Sequence, residues 1–553
     1  MMYLFGLGSM DLLLAFIIAV AVTMSLIPPL MRAAGSLNVL DMPSERKQHV
    51  GAVPCVGGVA MAVGAFLPLL LWLPIDRLLA SYLTASLIMV GFGVWDDRVS
   101  LSPAVKFAGQ LISVAIVVFV GDVTLSTYTL VDRMAIPQAI AIPLTFFFLL
   151  GVTNAINLAD GLDGLAGGTT LLACCALAAL GLAMDVPFVS TIALVIVGAI
   201  VGFLRFNTYP ARVFMGDGGS QFLGFTTGVL AIILTQQVAT PLSAALPLLI
   251  LGLPILDTLS VMGLRMLRGQ SPFKADRTHI HHKLLGVGFD HHEAVALIYC
   301  AQAALFLAAW FLRFESDLLI ILTFVGFAAV FLIALIAADR SGWRVRARRF
   351  DKTSDLARLA HRFVAFERMH RLTLWAAVAG VAAYALCILL YSQPLPDDIG
   401  WLALGVAVTL TLTAFPPVRS VGIEWVAQAA LYVAVVVAVY MDQQTARFLP
   451  VFHMVKWGVF PLLILAVIVR TRLDGQRRFQ VTPFDVLLIL VALMMPNLPG
   501  FAGDRETLGF GVAKLLALFY AVEMISNHSP TMRRLAAMGA FGFCLAMSIR
   551  ILM

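Results

Sequence analysis

The dominant feature of this sequence is the recurrence of apolar runs almost free of charge, which cross a bilayer as helices of about 20 residues. About eighteen such runs can be placed, beginning at Leu12–Leu30, with short polar breaks between them. Of the 553 residues, 61% are hydrophobic and only 12% are charged, whereas soluble proteins carry roughly 25% charged residues. An ordinary cytosolic enzyme is thereby excluded, as are disordered, collagen-like, coiled-coil and disulfide-scaffold chains. The expected fold is an all-α polytopic membrane protein.

Charge divides the chain. Residues 340–371 hold a basic stretch, RSGWRVRARRFDKTSDLARLAHRFVAFERMHR. It reads as a cytoplasmic linker, either a loop made basic by topology or an amphipathic helix on an anionic leaflet. On either side lie a membrane core of eleven helices, 1–339, and a C-terminal extension of about seven helices, 372–553. The first basic residue, Arg32, follows the first apolar run. Placing the N-terminus outside collects most of the 37 Lys and Arg residues in cytoplasmic loops, as the positive-inside rule requires. The six cysteines form no CxxC pair and read as free thiols packed among helices.

Polar residues in the core gather at the cytoplasmic ends of spans, in five clusters. The first runs from Asp41 through Lys47 and His49 to Gly57-Gly58, and its cations suit an anionic headgroup. The second is Asp96-Asp97, with Lys106 entering the next span. Adjacent carboxylates at a helix end repel each other unless a cation or a proton-transfer role compensates. The third is Asn154-Ala-Ile-Asn157-Leu-Ala-Asp160-Gly-Leu-Asp163-Gly. No Lys or Arg lies between Arg133 and Arg205, so these acids lack a local cation; with the amides they suit a hard metal ion beside a nucleotide. The fourth, Gly216-Asp217-Gly-Gly-Ser220, sets a carboxylate and backbone N–H groups at a helix start, a combination that binds magnesium phosphates. The fifth holds Lys274, Arg277, His279, His281 and His282. With cations nearby and no flanking cysteine, phosphate recognition suits it better than zinc.

In this order and at these span ends, the clusters resemble the polyprenyl-phosphate N-acetylhexosamine-1-phosphate transferases over residues 10–338. The shared motifs are the Asp-Asp pair, NxxNxxDGxDGLAGG, MGDxGS and the HIHH segment, the last being most similar to the GlcNAc-1-phosphate branch. The resemblance implies transfer of a sugar-1-phosphate from a UDP-sugar to undecaprenyl phosphate, with Mg²⁺ required and Mn²⁺ as a substitute. It implies Asp217 and Asn157 as metal ligands, and Asp96, Asp97 and Lys106 as catalytic residues around the lipid phosphate. Asn154, Asp160 and Asp163 would lie along the nucleotide surface, while Lys47, His49, Arg277, His279, His281 and His282 would bind phosphate or diphosphate. The implied setting is the bacterial inner membrane, with the active site facing the cytoplasm. Expected partners are the UDP-sugar, undecaprenyl phosphate, the bilayer and a second copy of the chain as a homodimer, with no nucleic acid.

The donor stays open between UDP-GlcNAc, another UDP-N-acetylhexosamine and UDP-linked phospho-MurNAc-pentapeptide. A transporter would place polar groups near the bilayer midplane, where Asp257 is the one acid that fits. An assembly scaffold would account for the extension but not for the five clusters. In the extension, Lys514 and Glu523 lie within one span, nine residues apart, which is too far for a direct pair along one helix.

Overall fold

The computed structural model describes residues 9–42, 51–129, 133–237, 241–271, 279–341, 364–391, 397–414, 424–444, 458–463, 465–466, 482–494 and 505–552. Within these the chain is a multi-pass α-helical membrane protein. Eleven helices are long and apolar enough to cross a bilayer, and further apolar helices are shorter. The contacts divide the chain into two units, Met1–Ala347 with Thr482–Met494, and Arg348–Val481 with Met495–Met553.

The first unit contains α1 (Ser9–Leu37), α2 (Gly57–Trp72), α3 (Arg77–Val99), α4 (Pro103–Ala115), α5 (Gln138–Ala159), α6 (Leu165–Ala183) and α7 (Pro187–Asn207). It continues with α8 (Gly216–Ile232), α9 (Pro247–Ile250), α10 (Gly252–Leu267), α11 (Ile280–Val287), α12 (His291–Phe311) and α13 (Asp317–Arg340). One turn of π-helix prolongs α4 and another prolongs α8. Nine of the eleven helices long enough to span lie in this unit, at positions expected from sequence; α2 is shorter, and α9 and α10 share the stretch where a ninth span is expected. Two small antiparallel ribbons complete the unit. β1 (Leu40–Asp41) pairs with β2 (Val53–Pro54), and β3 (Thr127–Thr129) pairs with β4 (Arg133–Ala135).

α8 runs through the centre, buried along its length, and α6 is nearly as enclosed, whereas α13 is mostly exposed. Small residues make that central position reachable, because without side chains in between, helix backbones can approach closely. A Cβ on Gly58 would stand 2.3 Å from the Gly219 nitrogen, and one on Gly93 would stand 2.3 Å from the Gly218 Cα. One on Gly224 would meet the Thr153 Cα at 2.7 Å. Glycine on α2, α3 and α8 thus lets three helices converge on the segment that carries Asp217.

The end of the unit away from Asp217 is held by polar groups close to the span ends. Asp317 accepts hydrogen bonds from the Ala245 N–H at 3.0 Å, the Ser243 hydroxyl and the Thr129 N–H. The Gln236 carboxamide oxygen takes both the N–H and the hydroxyl of Thr127 at 2.9 Å. These bonds satisfy strand and loop groups that lipid could not.

The helix Pro483–Met494 packs on α12 and α6 and groups with the first unit, although it lies late in the sequence. The second unit contains the helices Val364–Tyr391, Asp397–Ala414, Glu424–Gln444, Arg505–His528 and Pro530–Leu552. Within it Lys514 pairs with Asp442 on another helix, and its ammonium lies 5.9 Å from the Phe460 ring centre. An apolar environment demands such a partner for a charge. The amphipathic-helix reading of 340–371 falls largely outside the described residues.

The close approach at Gly93 gives a first prediction. Gly93→Val forces α3 away from α8 and destabilises the solubilised protein by about 1–3 kcal/mol, the usual scale of overpacking. Gly91, which a Cβ would leave without a neighbour within 4 Å, supplies the control. Thermal unfolding in detergent should separate Gly93→Val from a near-neutral Gly91→Val.

Candidate active site

α3, α5, α7 and α10 end at the same face where α2, α4, α6, α8 and α12 begin, so the polar clusters between them converge there. Lys106, one turn into α4, is their hub. Its ammonium pairs with Asp96 at the end of α3 and lies 3.1 Å from Oδ2 of Asp217 at the start of α8. Asp96 is 7% exposed, while Lys106 and Asp217 keep about a third of their side-chain surface open. The Asp96 carboxylate also accepts the Leu101 N–H at 2.7 Å, which fixes the turn between α3 and α4.

Asp97 points elsewhere. Its two oxygens accept the N–H groups of Asp217 at 2.9 Å and Gly218 at 3.4 Å. These donors have no partner inside the helix, and a carboxylate there also meets the positive end of the helix dipole. Gly216 begins α8 with a φ of +68°, and a Cβ on it would stand 2.3 Å from Oδ2 of Asp97. The adjacent acids therefore divide the work, Asp96 engaging the ammonium and Asp97 fastening the helix that carries Asp217.

Asn157 reaches the same centre from α5. Its amide donates to Oδ1 of Asp217 at 3.1 Å and to the Ser220 hydroxyl at 2.7 Å. Its carboxamide oxygen accepts no protein hydrogen bond among the described residues. Asp160, three residues on, has its carboxyl pushed up from 3.8 to about 7, first by burial and then by the negative charges of Asp217, Asp163 and Asp97.

One helical turn deeper lies a layer of amides. Asn154 donates to Gln110 Oε1 at 2.9 Å and to the Leu150 carbonyl at 2.8 Å, while Gln110 donates to Gln221 Oε1 at 3.1 Å. Deeper still, the Tyr82 and Thr226 hydroxyls hydrogen-bond at 3.0 Å. Asn154 thus ties α5 to α4 rather than facing the open side of the site. Gln110 and Gln221 were not singled out from sequence, though each lies four residues after a charged one, Lys106 and Asp217. That spacing puts them on the same helix face.

Asp163 also turns away from the centre. Its carboxylate accepts the Ala211 N–H at 2.8 Å, holding the loop before α8, and its carbonyl takes the His291 ring at 3.3 Å. Tyr209 in that loop stacks on His291 with ring centres 4.3 Å apart. Nearby, Asn207 receives the Gly164 N–H and donates to the Val213 carbonyl, both at 2.9 Å.

The histidine segment closes one side. His281 stands over Gly161, where a Cβ would lie 2.5 Å from its ring, and its ring centre is 4.3 Å from that of His282. Asp257 accepts the Ile280 N–H at 2.8 Å and lies 2.9 Å from Nδ1 of His279. Asp257, the one acid that fits the transporter reading, is therefore tied to the histidine segment. The helix breaks at Leu251, α10 runs on until Leu267 is 88% exposed, and Asp257 meets the histidines of the site face. Lys47, His49 and Arg277 lie outside the described residues. Among the described residues no group of three His, Cys, Asp or Glu forms a metal cage.

Two predictions follow from this geometry. Gln110→Ala leaves the Asn154 and Gln221 amides without their shared partner, at about 1–3 kcal/mol for each group left unsatisfied; thermal unfolding in detergent should show the loss. Burial, with His282 as the second cause, pushes the His281 imidazole down from 6.5 to about 3. Between those values the unfolded chain binds a proton that the folded one refuses, so stability is full above 6.5 and falls as pH drops towards 3. Unfolding midpoints measured across that window should show a slope that flattens in His281→Gln.

Residues 79–235 match the glycosyl transferase family 4. A probable undecaprenyl-phosphate N-acetylglucosaminyl 1-phosphate transferase of Bacillus subtilis is 33% identical over 292 residues, covering 52% of this chain and 81% of that protein. The decaprenyl-phosphate N-acetylglucosaminephosphotransferase of Mycobacterium tuberculosis is 31% identical over 325 residues, covering 53% of this chain and 80% of its own length. The undecaprenyl-phosphate alpha-N-acetylglucosaminyl 1-phosphate transferase of Escherichia coli K12 is 31% identical over 286 residues, covering 50% and 76%.

Proposed function

This chain belongs to the polyprenyl-phosphate N-acetylhexosamine-1-phosphate transferases of glycosyl transferase family 4, and from that premise we propose that it transfers GlcNAc-1-phosphate from UDP-GlcNAc to undecaprenyl phosphate. The products are UMP and undecaprenyl-diphosphate-GlcNAc, a lipid-linked sugar that starts a cell-surface polysaccharide. The observation that carries this reading is the joining of Asp96, Lys106, Asn157 and Asp217 from four helices, all within the family-matched residues.

The chemistry follows from the charges. Phosphoryl transfer between two polyanions is limited by repulsion and alignment, so neutralisation and positioning do most of the work. A phosphate monoester has a second pKa of about 6, so the lipid phosphate is largely dianionic at neutral pH and attacks without first losing a proton. Its oxygen forms a bond to the phosphorus that carries the sugar, and the bond from that phosphorus to the UMP oxygen breaks. Lys106 holds the lipid phosphate and Asp96 holds Lys106. Asp97 keeps α8 in place, so that Asp217 stays within reach of the ammonium.

Asp96 and Asp217 flank the Lys106 ammonium, and Asp97 and Asp160 lie close enough to Asp217 to feel its charge, a concentration of carboxyl groups that suits a divalent cation. Asp217 and the unengaged carboxamide oxygen of Asn157 fit Mg²⁺, which takes its remaining ligands from water and substrate phosphate. Once bound, the ion would neutralise the donor diphosphate and stabilise the UMP leaving group. His279, His281 and His282 line the diphosphate side, with Lys47, His49 and Arg277 as further phosphate ligands. The excess of Lys and Arg at this face orients it towards the cytoplasm of a bacterial inner membrane, where UDP-sugars are found, with the N-terminus outside.

The test is UMP release from purified protein with Mg²⁺, undecaprenyl phosphate and a panel of UDP-sugars. UDP-GlcNAc should support turnover, chelation should stop it and Mn²⁺ should restore it. Asp217→Ala should reduce kcat by a factor on the order of 10² or more, the scale for losing one preorganised charge-stabilising group. Turnover with a different donor alone would redirect the sugar, and a fully active Asp217→Ala would remove that residue from the metal site.

A further inference from the structure

Asp257 is the only charged residue between Gly218 and Leu264. It is 7% exposed, beside a small cavity whose other lining includes Leu253, Pro254, Ile280 and Ile298. A bare carboxylate among such residues is costly unless it is paired and hydrogen-bonded. Here both oxygens are engaged by the start of α11, one by the Ile280 N–H at 2.8 Å and the other by Nδ1 of His279 at 2.9 Å. A helix start alone would need only an uncharged acceptor such as Asn or Ser. The second bond is the informative one, because it commits one nitrogen of the imidazole and leaves Nε2 as the atom that can meet a ligand. The ring of His279 is nearly parallel to that of His281, at 12°, with centres 5.8 Å apart. His281 in turn rests on Gly161, next to Asp160.

We propose that Asp257 is a positioning residue for the transfer. By holding His279 through Nδ1 and α11 through Ile280, it seats the histidine segment against the Asp160–Asp163 turn and presents His279 Nε2 to the donor diphosphate. This rests on the reading of the site as a sugar-1-phosphate transferase. Asp257 acts through His279 and touches no substrate itself, so the lipid phosphate at Lys106 does not sense it.

The experiment is steady-state UMP release by the full chain carrying Asp257→Asn, His279→Gln or both, with donor and lipid varied separately. Asp257→Asn keeps an oxygen for the Ile280 N–H while removing the carboxylate from His279. The donor KM should rise by roughly tenfold to a hundredfold, the range for losing a hydrogen bond to a charged group, with the lipid KM unchanged. The double variant should be no worse than His279→Gln alone, because residues acting through one interaction are not additive. Multiplying losses in the double variant, an unchanged donor KM, or donor and lipid KM rising together would each overturn the proposal while leaving the transferase reading intact. Absence of UMP release from the unaltered protein would overturn that reading and this one with it. Should Asp257→Asn fail to fold, Asp257→Ser, which also retains an acceptor for the helix start, is judged by the same criteria.

Discussion

The ammonium of Lys106, set between Asp96 and Asp217, is the interaction on which the site depends. It joins the end of α3, the first turn of α4 and the start of α8 at one point on the membrane face. Without a cation there, carboxylates from α3 and α8 would repel each other in a setting where water screens poorly. Asp97 complements it by occupying the N–H groups at the start of α8. The close passages at Gly58 and Gly93 bring α2 and α3 near enough for these bonds to form. Packing and electrostatics thus require each other: the glycines allow the approach, and the charge network gives it a purpose.

Polarity then declines with depth in steps of one helical turn. Charged groups occupy the outermost layer, amides the next, and a Tyr82–Thr226 hydroxyl pair lies beneath. Each layer satisfies its own hydrogen bonds across helices, as an interior poor in water demands. Such a gradient lets the bundle hold charge at its face while the cross-helix bonds beneath it join uncharged groups. Asp257 applies the same rule at the edge of the site, where both of its oxygens are matched by groups of the histidine segment.

Much of this was legible in the sequence, for reasons tied to particular residues. Span boundaries follow apolar runs closely, because hydropathy is set residue by residue. Asp96, Lys106, Asn157 and Asp217 stood out because charges and amides at span ends are conspicuous in a chain so poor in them. Asn154 and Asp163 were found but not their directions; one ties α5 to α4 and the other holds the loop before α8. Gln110 and Gln221 escaped notice because an uncharged amide inside an apolar run gives little signal by itself. The partners of Asp257 were not foreseen because His279 and the Ile280 N–H lie 22 and 23 residues further along the chain.

Composition and residue order settle the membrane-spanning helical class and the gathering of polar clusters at one set of span ends. Both are properties of the chain taken locally. Which groups meet is set by tertiary packing. Lys106 and Asp217 are separated by 111 residues, and Asp97 and the Asp217 amide by 120. Whether they touch depends on the rotation of each helix about its axis and on how closely its neighbours allow it to approach. The two adjacent aspartates show the difference. Nothing in the local sequence distinguishes them, yet about 100° of helical rotation separates one residue from the next, and it sends Asp96 to the ammonium and Asp97 to the helix start.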